Sequence, residues 1–382
     1  MTVHKYSNRL FLQTEFINRH YLIVISNLGF HEVWGLRMIE KTYPMAVVTA
    51  PGKVEFQEKK LPTFSPGDVL IKVRATAICG SDLHIFKGRH PAAPLPVAIG
   101  HELSGEVLSV GKNVSRVKEG DRVVVEPVII CGKCYFCRRG EYHLCMDISF
   151  QYRIGQGGFS PYFVANENWV HLLPPNVSFE EGALVEPLSV AIHAVKKGGI
   201  RLGHSVAIFG AGAIGLFALV LSRLSGAGET FVVDVQAHRL KKATELGAFE
   251  VFDNSKANAV EAIFERTSQL GVDRSFEAVG LEGPLIQSLK VLKKGGVSIL
   301  VGLFENPEIK IPANIFVQKE ISLMGSQGYC WDFQTALKML ESERLKLKEF
   351  ITHVLPLPSL QEAFNLLMDP GSKAIKVIIR SE

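Results

Sequence analysis

An excess of one charge is almost missing from this chain. Its 42 lysines and arginines stand against 38 aspartates and glutamates, a balance of +4 over 382 residues, and the basic residues are scattered among acids. That distribution excludes a nucleic-acid footprint. Low-complexity tracts and repeats of solenoid period are also lacking. Long apolar runs are scarce: Tyr21 to Ile25, behind Arg19 and His20, is too short to cross a membrane and makes a poor secretion signal. The nearly uncharged segment Ser205 to Ser222 has spanning length, but its three spaced glycines and its change from strand-like to helix-like pattern point to a buried strand and helix. A cytoplasmic protein without membrane insertion is expected. Nearly half the residues, 47%, are apolar, enough for two sizeable cores in a chain whose length favours two domains.

Cysteine is scarce too, yet five of the six cysteines fall before residue 146 and sort by spacing into two groups. Cys131, Cys134, Cys137 and Cys145 read C-x2-C-x2-C-x7-C, tight enough for one loop to wrap four thiolates around a single ion. A closed set of four ligands is structural, and zinc is its natural occupant. The first three also match the start of a bacterial iron–sulfur run, but the late fourth cysteine precedes Met146 where that pattern has proline. Disulfides are the other alternative, weakened by the lack of a secretion signal.

Cys79 stands alone in Ala77-Ile78-Cys79-Gly80-Ser81-Asp82-Leu83-His84, and Gly100-His101-Glu102 follows after a proline-rich stretch. A thiolate, an imidazole and a carboxylate are the ligand types of a catalytic zinc that keeps a position open. A single cysteine after a strand is usually a small core residue, and a single histidine usually makes an ordinary hydrogen bond. The conjunction with the four-cysteine loop and with Glu186 in Leu184-Val185-Glu186-Pro187-Leu188 gives them weight.

A third signal runs from Ser205 through Gly210, Gly212 and Gly215, where a hydrophobic strand enters G-x-G-x-x-G and then a helical pattern to Leu224. Gly210 allows the tight turn, Gly212 lets a pyrophosphate approach the backbone, and Gly215 lets helix and strand pack closely. The next strand ends at Asp234, where a carboxylate binds the adenine ribose and repels a 2′-phosphate. NAD is therefore favoured over NADP, with Arg239 nearby moderating the preference. Strands near Ala46 to Val48, Val69 to Ala77 and Glu106 to Val110 make the first part β-rich. From about Phe179, strands alternate with helices as in a doubly wound parallel sheet, through Val206 to Phe209, Phe231 to Val233, Val251 to Phe252, Arg274 to Phe276, Val297 to Val301 and Ile321 to Met324. A helix through Leu340 and a strand over Ala374 to Ile379 end the chain.

These motifs, in this order, resemble the zinc-dependent medium-chain alcohol dehydrogenases from about Met45 onward. Gly-His-Glu followed by Val-Glu-Pro-Leu-Ser-Val-Ala-Ile-His-Ala is most similar to the sorbitol (polyol) and 2,3-butanediol dehydrogenase branch. The resemblance implies an α/β protein: a GroES-like catalytic domain over residues 45–180 and 325–382, and a Rossmann NAD-binding domain over 181–324. Residues 1–44 are read as an extension, either non-native, with Met38 or Met45 as the start, or an oligomer-docking arm. Two zinc ions per chain are implied, a catalytic one on Cys79, His101 and Glu102 and a structural one on the four cysteines. Glu186 would hold the water on the metal or exchange onto it. Ser81 would bond the substrate hydroxyl and His84 would relay its proton. NAD would contact Gly210, Gly212, Ile214, Gly215, Asp234, Arg239, Val301, Gly302, Leu303, Ser326 and Gln327.

The implied substrate is a small-molecule polyol or vicinal diol, oxidised at a secondary alcohol to the ketone by a homo-oligomer, dimer or tetramer. Gly328 stands where sorbitol dehydrogenases carry a polyol-contacting arginine, and Phe86 is a less polar neighbour than a polyol pocket calls for. Oxidation of an amino alcohol, as in L-threonine 3-dehydrogenases, is the alternative. A non-catalytic NAD-sensing protein would show degraded ligands beside an intact glycine turn, and here the ligand residues are present.

Overall fold

The computed structural model describes residues 42–61 and 65–381. Of the extension expected over 1–44, residues 1–41 lie outside the described residues. Thr42 already belongs to a strand, Thr42–Ala50, which pairs antiparallel with Lys53–Lys60 and with Val97–Ala98. The regular structure therefore begins ahead of Met45, because both faces of this strand are covered. Tyr43, Met45 and Val47 pack into one cluster and Ala46 and Val48 into another. The Tyr43 ring meets Tyr162 edge-on at 5.6 Å.

The seven-stranded sheet is organised around Asp68–Ala77. That strand pairs along its length with Glu102–Val110, and on its other side with Tyr162–Asn166 and then Val377–Arg380. Ala77 is level with both Glu102 and Ile378. This register brings Cys79, two residues beyond Ala77, out at the same end of the sheet as His101. The C-terminal strand returns to complete the same sheet, placing the last residues of the chain beside the first metal-ligand candidates.

The six-stranded sheet is parallel throughout, in the order Glu250–Asp253, Thr230–Asp234, Val206–Phe209, Val272–Glu277, Leu292–Leu300 and Ser322–Gly325. Chain order reverses between Val206–Phe209 and Val272–Glu277, and in such sheets the crevice beyond the strand ends at this reversal is where ligands bind. Gly210 occupies it with φ of +102°, a left-handed conformation open to glycine. Strand and helix are buried on both faces: Val206, Ala207, Ile208 and Phe209 are inaccessible, as are Leu216, Phe217 and Leu219 of the helix Ala213–Leu224. The segment from Ser205 to Ser222 is thus a core strand and helix. No helix among the described residues is long and apolar enough to cross a membrane.

The glycines of the turn face different constraints. A Cβ at Gly215 would lie 1.8 Å from the Gly210 carbonyl oxygen, whereas one at Gly212 would meet nothing within 4 Å. Gly215→Ala is expected to lower folding stability in chemical denaturation by about 1–3 kcal/mol. Gly212→Ala should change it by less than about 1 kcal/mol. Equal losses at both positions would contradict the close-packing role of Gly215.

Candidate active site

Cys79 is the residue preceding the helix Gly80–Phe86, His101 precedes the strand Glu102–Val110, and Glu102 opens it. One ligand atom from each of Cys79, His101 and Glu102 lies within 4.8 Å of the others. Asp82 organises this corner. It is 1% exposed, accepts from the Cys79 N–H at 3.0 Å and the Gly100 N–H at 3.3 Å, and stands 3.5 Å from His101 Nδ1. Burial opposes a charged His101, but Asp82 and the Cys79 sulfur outweigh it and raise the imidazole well above its ordinary value. A carboxylate on one ring nitrogen orients the other toward a metal.

Glu102 is wholly buried, which raises its pKa, with the Lys376 ammonium opposing that shift from beside Oε2. Oε1 has no hydrogen-bond partner among the described residues. A thiol, an imidazole and a buried carboxylate oxygen without a partner form a donor set that suits zinc with a position left open. Lys376 is itself anchored, donating to the Ile78 carbonyl at 2.9 Å.

His101 and Asp82 line a cavity of about 370 Å³ whose wall also includes Ser81, Glu186, Leu303, Ser326 and Tyr329. Val301 and Gln327 line it as well. Glu186 lies in the first turn of the helix Val185–Gly198. Burial pushes its carboxyl up to about 7, with His101 and Lys376 opposing the shift and Glu102 adding to it. The buried Tyr329 phenol is its neighbour. His84 is not part of the cavity wall, and its ring bonds Glu305 instead. Phe86, expected as an apolar substrate neighbour, stacks on Phe364 at 4.6 Å within the core. Two positions along a helix turn a side chain by about 200°, so Phe86 faces opposite His84 and into the core.

Around the glycine turn, Asp234 Oδ2 accepts from the Ala211 N–H at 2.7 Å, and Oδ1 accepts from Val235 and Gln236. The acid at the end of one strand thereby ties down the turn at the end of its neighbour. Ile214 sits in the first turn of the helix Ala213–Leu224 and Arg239 in the helix Ala237–Glu245. Gly302 approaches Gly280 so closely that a Cβ would lie 2.2 Å from the Gly280 nitrogen. The open space at Gly212 and the acid beside the turn fit a dinucleotide.

The four remaining ligand candidates, Cys131, Cys134, Cys137 and Cys145, also converge within 4.8 Å. Cys145 and Cys131 sulfurs are 3.5 Å apart and Cys131 and Cys137 sulfurs 4.0 Å. Four bonds of about 2.3 Å in a tetrahedron separate their sulfurs by about 3.8 Å, and a disulfide needs about 2.05 Å. All four are unbridged. Backbone N–H groups of Cys137 and Met146 pull the Cys134 thiol down to about 6, while burial and neighbouring cysteines push Cys137 up to about 12. The four sulfurs are spaced to hold one cation, which as thiolates they would need to offset their charge.

Comparison with known proteins agrees with this arrangement. Residues 65–175 match the family model of the alcohol dehydrogenase GroES-like domain, and residues 213–342 match that of the zinc-binding dehydrogenases. A D-arabitol-phosphate dehydrogenase of Enterococcus avium is 36% identical over 349 residues, spanning 90% of this chain and 99% of the relative. The chain belongs to the zinc-binding dehydrogenase family. Human sorbitol dehydrogenase is 36% identical over 324 residues, 83% of this chain and 90% of its own. The crystal structure of 2R,3R-butanediol dehydrogenase from Bacillus subtilis superposes with a TM-score of 0.80 at 33% identity, covering 89% of this chain and all of that one. As a member of this family the chain is an oxidoreductase on a GroES-like and Rossmann framework.

Asp82, Lys376 and Glu305 escaped the reading of the sequence. Asp82 lies within the quoted Cys79 motif, but nothing in its spacing distinguishes a buried orienting acid from a helix-capping one. Lys376 and Glu305 meet their partners only through long-range folding.

Breaking a buried pair strands the remaining charge, at a cost of about 3–5 kcal/mol. Lys376→Met is expected to lower the denaturation free energy of the metal-free protein by that amount, with Glu102→Gln recovering part of it. A loss below about 1 kcal/mol would mean that Glu102 is not charged there.

Proposed function

We propose that this dehydrogenase oxidises a secondary alcohol of a polyol or vicinal diol to the ketone with NAD. The observation that carries the reading is the convergence of Cys79, His101 and Glu102 beside a cavity shared with Val301, Leu303, Ser326 and Gln327. When bound, zinc supplies a Lewis acid that eases deprotonation of the substrate hydroxyl, and NAD supplies the hydride acceptor. Cys79, His101 and Glu102 hold the catalytic ion, and Cys131, Cys134, Cys137 and Cys145 the structural one. Glu186, a buried acid on the cavity wall, holds the water that substrate displaces, with the Tyr329 phenol orienting it. Ser81 receives the hydroxyl proton in a hydrogen bond and His84 carries it outward. Gly210, Gly212, Ile214 and Gly215 bind the pyrophosphate, Asp234 and Arg239 the adenine ribose, and Val301, Gly302, Leu303, Ser326 and Gln327 the nicotinamide end.

The substrate class rests on chemistry shared by the relatives, whose names specify arabitol phosphate, sorbitol and 2R,3R-butanediol: each carries a carbinol beside another oxygen-bearing carbon. The cavity matches this demand, with Glu186, Tyr329 and His143 among apolar residues such as Val128 and Ile148. We further read the protein as cytoplasmic, since a four-thiolate metal site assembles from reduced cysteines. A homo-oligomer is supported by the edge strand Ser322–Gly325, flanked by Val317 at 80% exposure.

NADH formation by zinc-loaded protein is expected with at least one of sorbitol, xylitol, galactitol and 2,3-butanediol in a panel that also includes L-threonine. NADP should be a poor substitute and a chelator should abolish turnover; turnover of L-threonine alone would overturn the polyol reading. Metal analysis should find two zinc ions per chain and one in Cys79→Ala. A visible chromophore with bound iron would contradict the four-cysteine assignment. Ser81→Ala is expected to lower kcat by about 10²-fold with little change in NAD affinity; unchanged turnover would remove Ser81 from the relay.

A further inference from the structure

The loop after the strand Leu292–Leu300 carries Glu305, whose carboxylate reaches the helix bearing Ser81 and His84. Oε1 lies 3.1 Å from His84 Nδ1, and Oε2 accepts from Arg89 Nη1 at 2.9 Å. Lys87 Nζ stands 3.8 Å from Oε1. Leu303, two residues before Glu305, lines the cavity, so this cluster sits at the edge of the site. Exposed ion pairs contribute little to stability. The Arg89 side chain is 63% exposed, so holding the fold together is a weak explanation for the cluster. Orientation is a stronger one. A carboxylate only accepts, and with Arg89 engaging Oε2, Oε1 is left to the imidazole.

We propose that Glu305 is a positioning residue for proton exit, fixing His84 in the tautomer with hydrogen on Nδ1 and leaving Nε2 as the acceptor of the substrate's proton. This rests on the reading of His84 as the relay. The logic is general: the partner of one ring nitrogen sets the state of the other. Burial draws the His84 imidazole below its ordinary value, Glu305 opposes that shift, and Lys87 and Arg89 reinforce it. His90 also faces His84. A neutral ring is therefore available near neutral pH. On receiving one proton at Nε2 it becomes an imidazolium beside the Glu305 carboxylate, and it returns to neutral by passing one proton to water.

Two variants separate charge from geometry. Glu305→Gln keeps an oxygen to accept from Nδ1–H but removes the charge that favours imidazolium. Its kcat should stay within about threefold of the parent, while the acid limb of kcat/KM moves to lower pH because His84 loses the group that raises its pKa. Glu305→Ala loses both and should lower kcat roughly tenfold or more, as loss of an orienting carboxylate does. Ring ¹H–¹⁵N correlation spectra, assigned with His84→Gln, should show the Nδ1–H tautomer of His84 in the native protein and a mixture in Glu305→Ala. That readout is independent of turnover. An Nε2–H tautomer in the native protein overturns the proposal, as does an unmoved acid limb with unchanged kcat in both Glu305 variants. His84→Ala separates the failures. If it retains full kcat, the relay reading falls; if it loses kcat while the Glu305 variants behave as wild type, only the positioning role falls.

Discussion

The ion pair between Glu102 and Lys376 is the contact on which the arrangement of this site depends. Both groups are buried, and a carboxylate or ammonium taken from water alone costs several kcal/mol. Pairing offsets that cost only if the C-terminal strand Val377–Arg380 is seated against Asp68–Ala77, since Lys376 directly precedes it. The same lysine bonds the Ile78 carbonyl, next to Cys79. One ammonium thus links the C-terminal strand, the backbone beside Cys79 and the buried carboxylate. The pair leaves Glu102 Oε1 without a hydrogen-bond partner among the described residues.

The rest of the site follows from two sheets whose ends meet at one cavity. The antiparallel sheet contributes ligands through register: Ala77 opposite Glu102 brings the Cys79 and His101 ends together. The parallel sheet contributes a crevice through topology, because the chain reverses direction across the sheet beside Val206–Phe209. Charge is arranged to match. Acids that must orient other groups, Asp82 and Asp234, accept backbone N–H groups and keep their geometry. Glu186 has no such set of donors among the described residues, and burial raises its carboxyl to about 7, between the neutral and ionised forms near neutral pH. An acid of that kind exchanges protons and ligands more readily than a firmly ionised one.

Much of this was legible in the residues because the motifs are local. Four cysteines within fifteen positions, a glycine turn between strand and helix, and Asp234 at the next strand end each state their chemistry within a short span. Strand periodicity also marked the parallel sheet, whose buried strands read as continuous apolar runs. Phe86 misled the reading because its place two residues after His84 does not say whether its ring meets a cavity or a core, and the first strand began earlier than the family's usual opening. Asp82 was visible but mute: an acid in the first turn of a helix has an ordinary capping explanation.

The sequence by itself determined the ligand chemistry, the fold class and the cofactor type, since each is carried by residues within one turn or one strand-and-helix unit. Only tertiary structure decided which charges face each other. Lys376 reaches Glu102, Glu305 reaches His84, and Tyr329 comes beside Glu186, through pairings between segments far apart in the chain. Their partners are chosen by sheet register and by the closing of a cleft, and the energy of a buried or half-buried charge depends on where those place it.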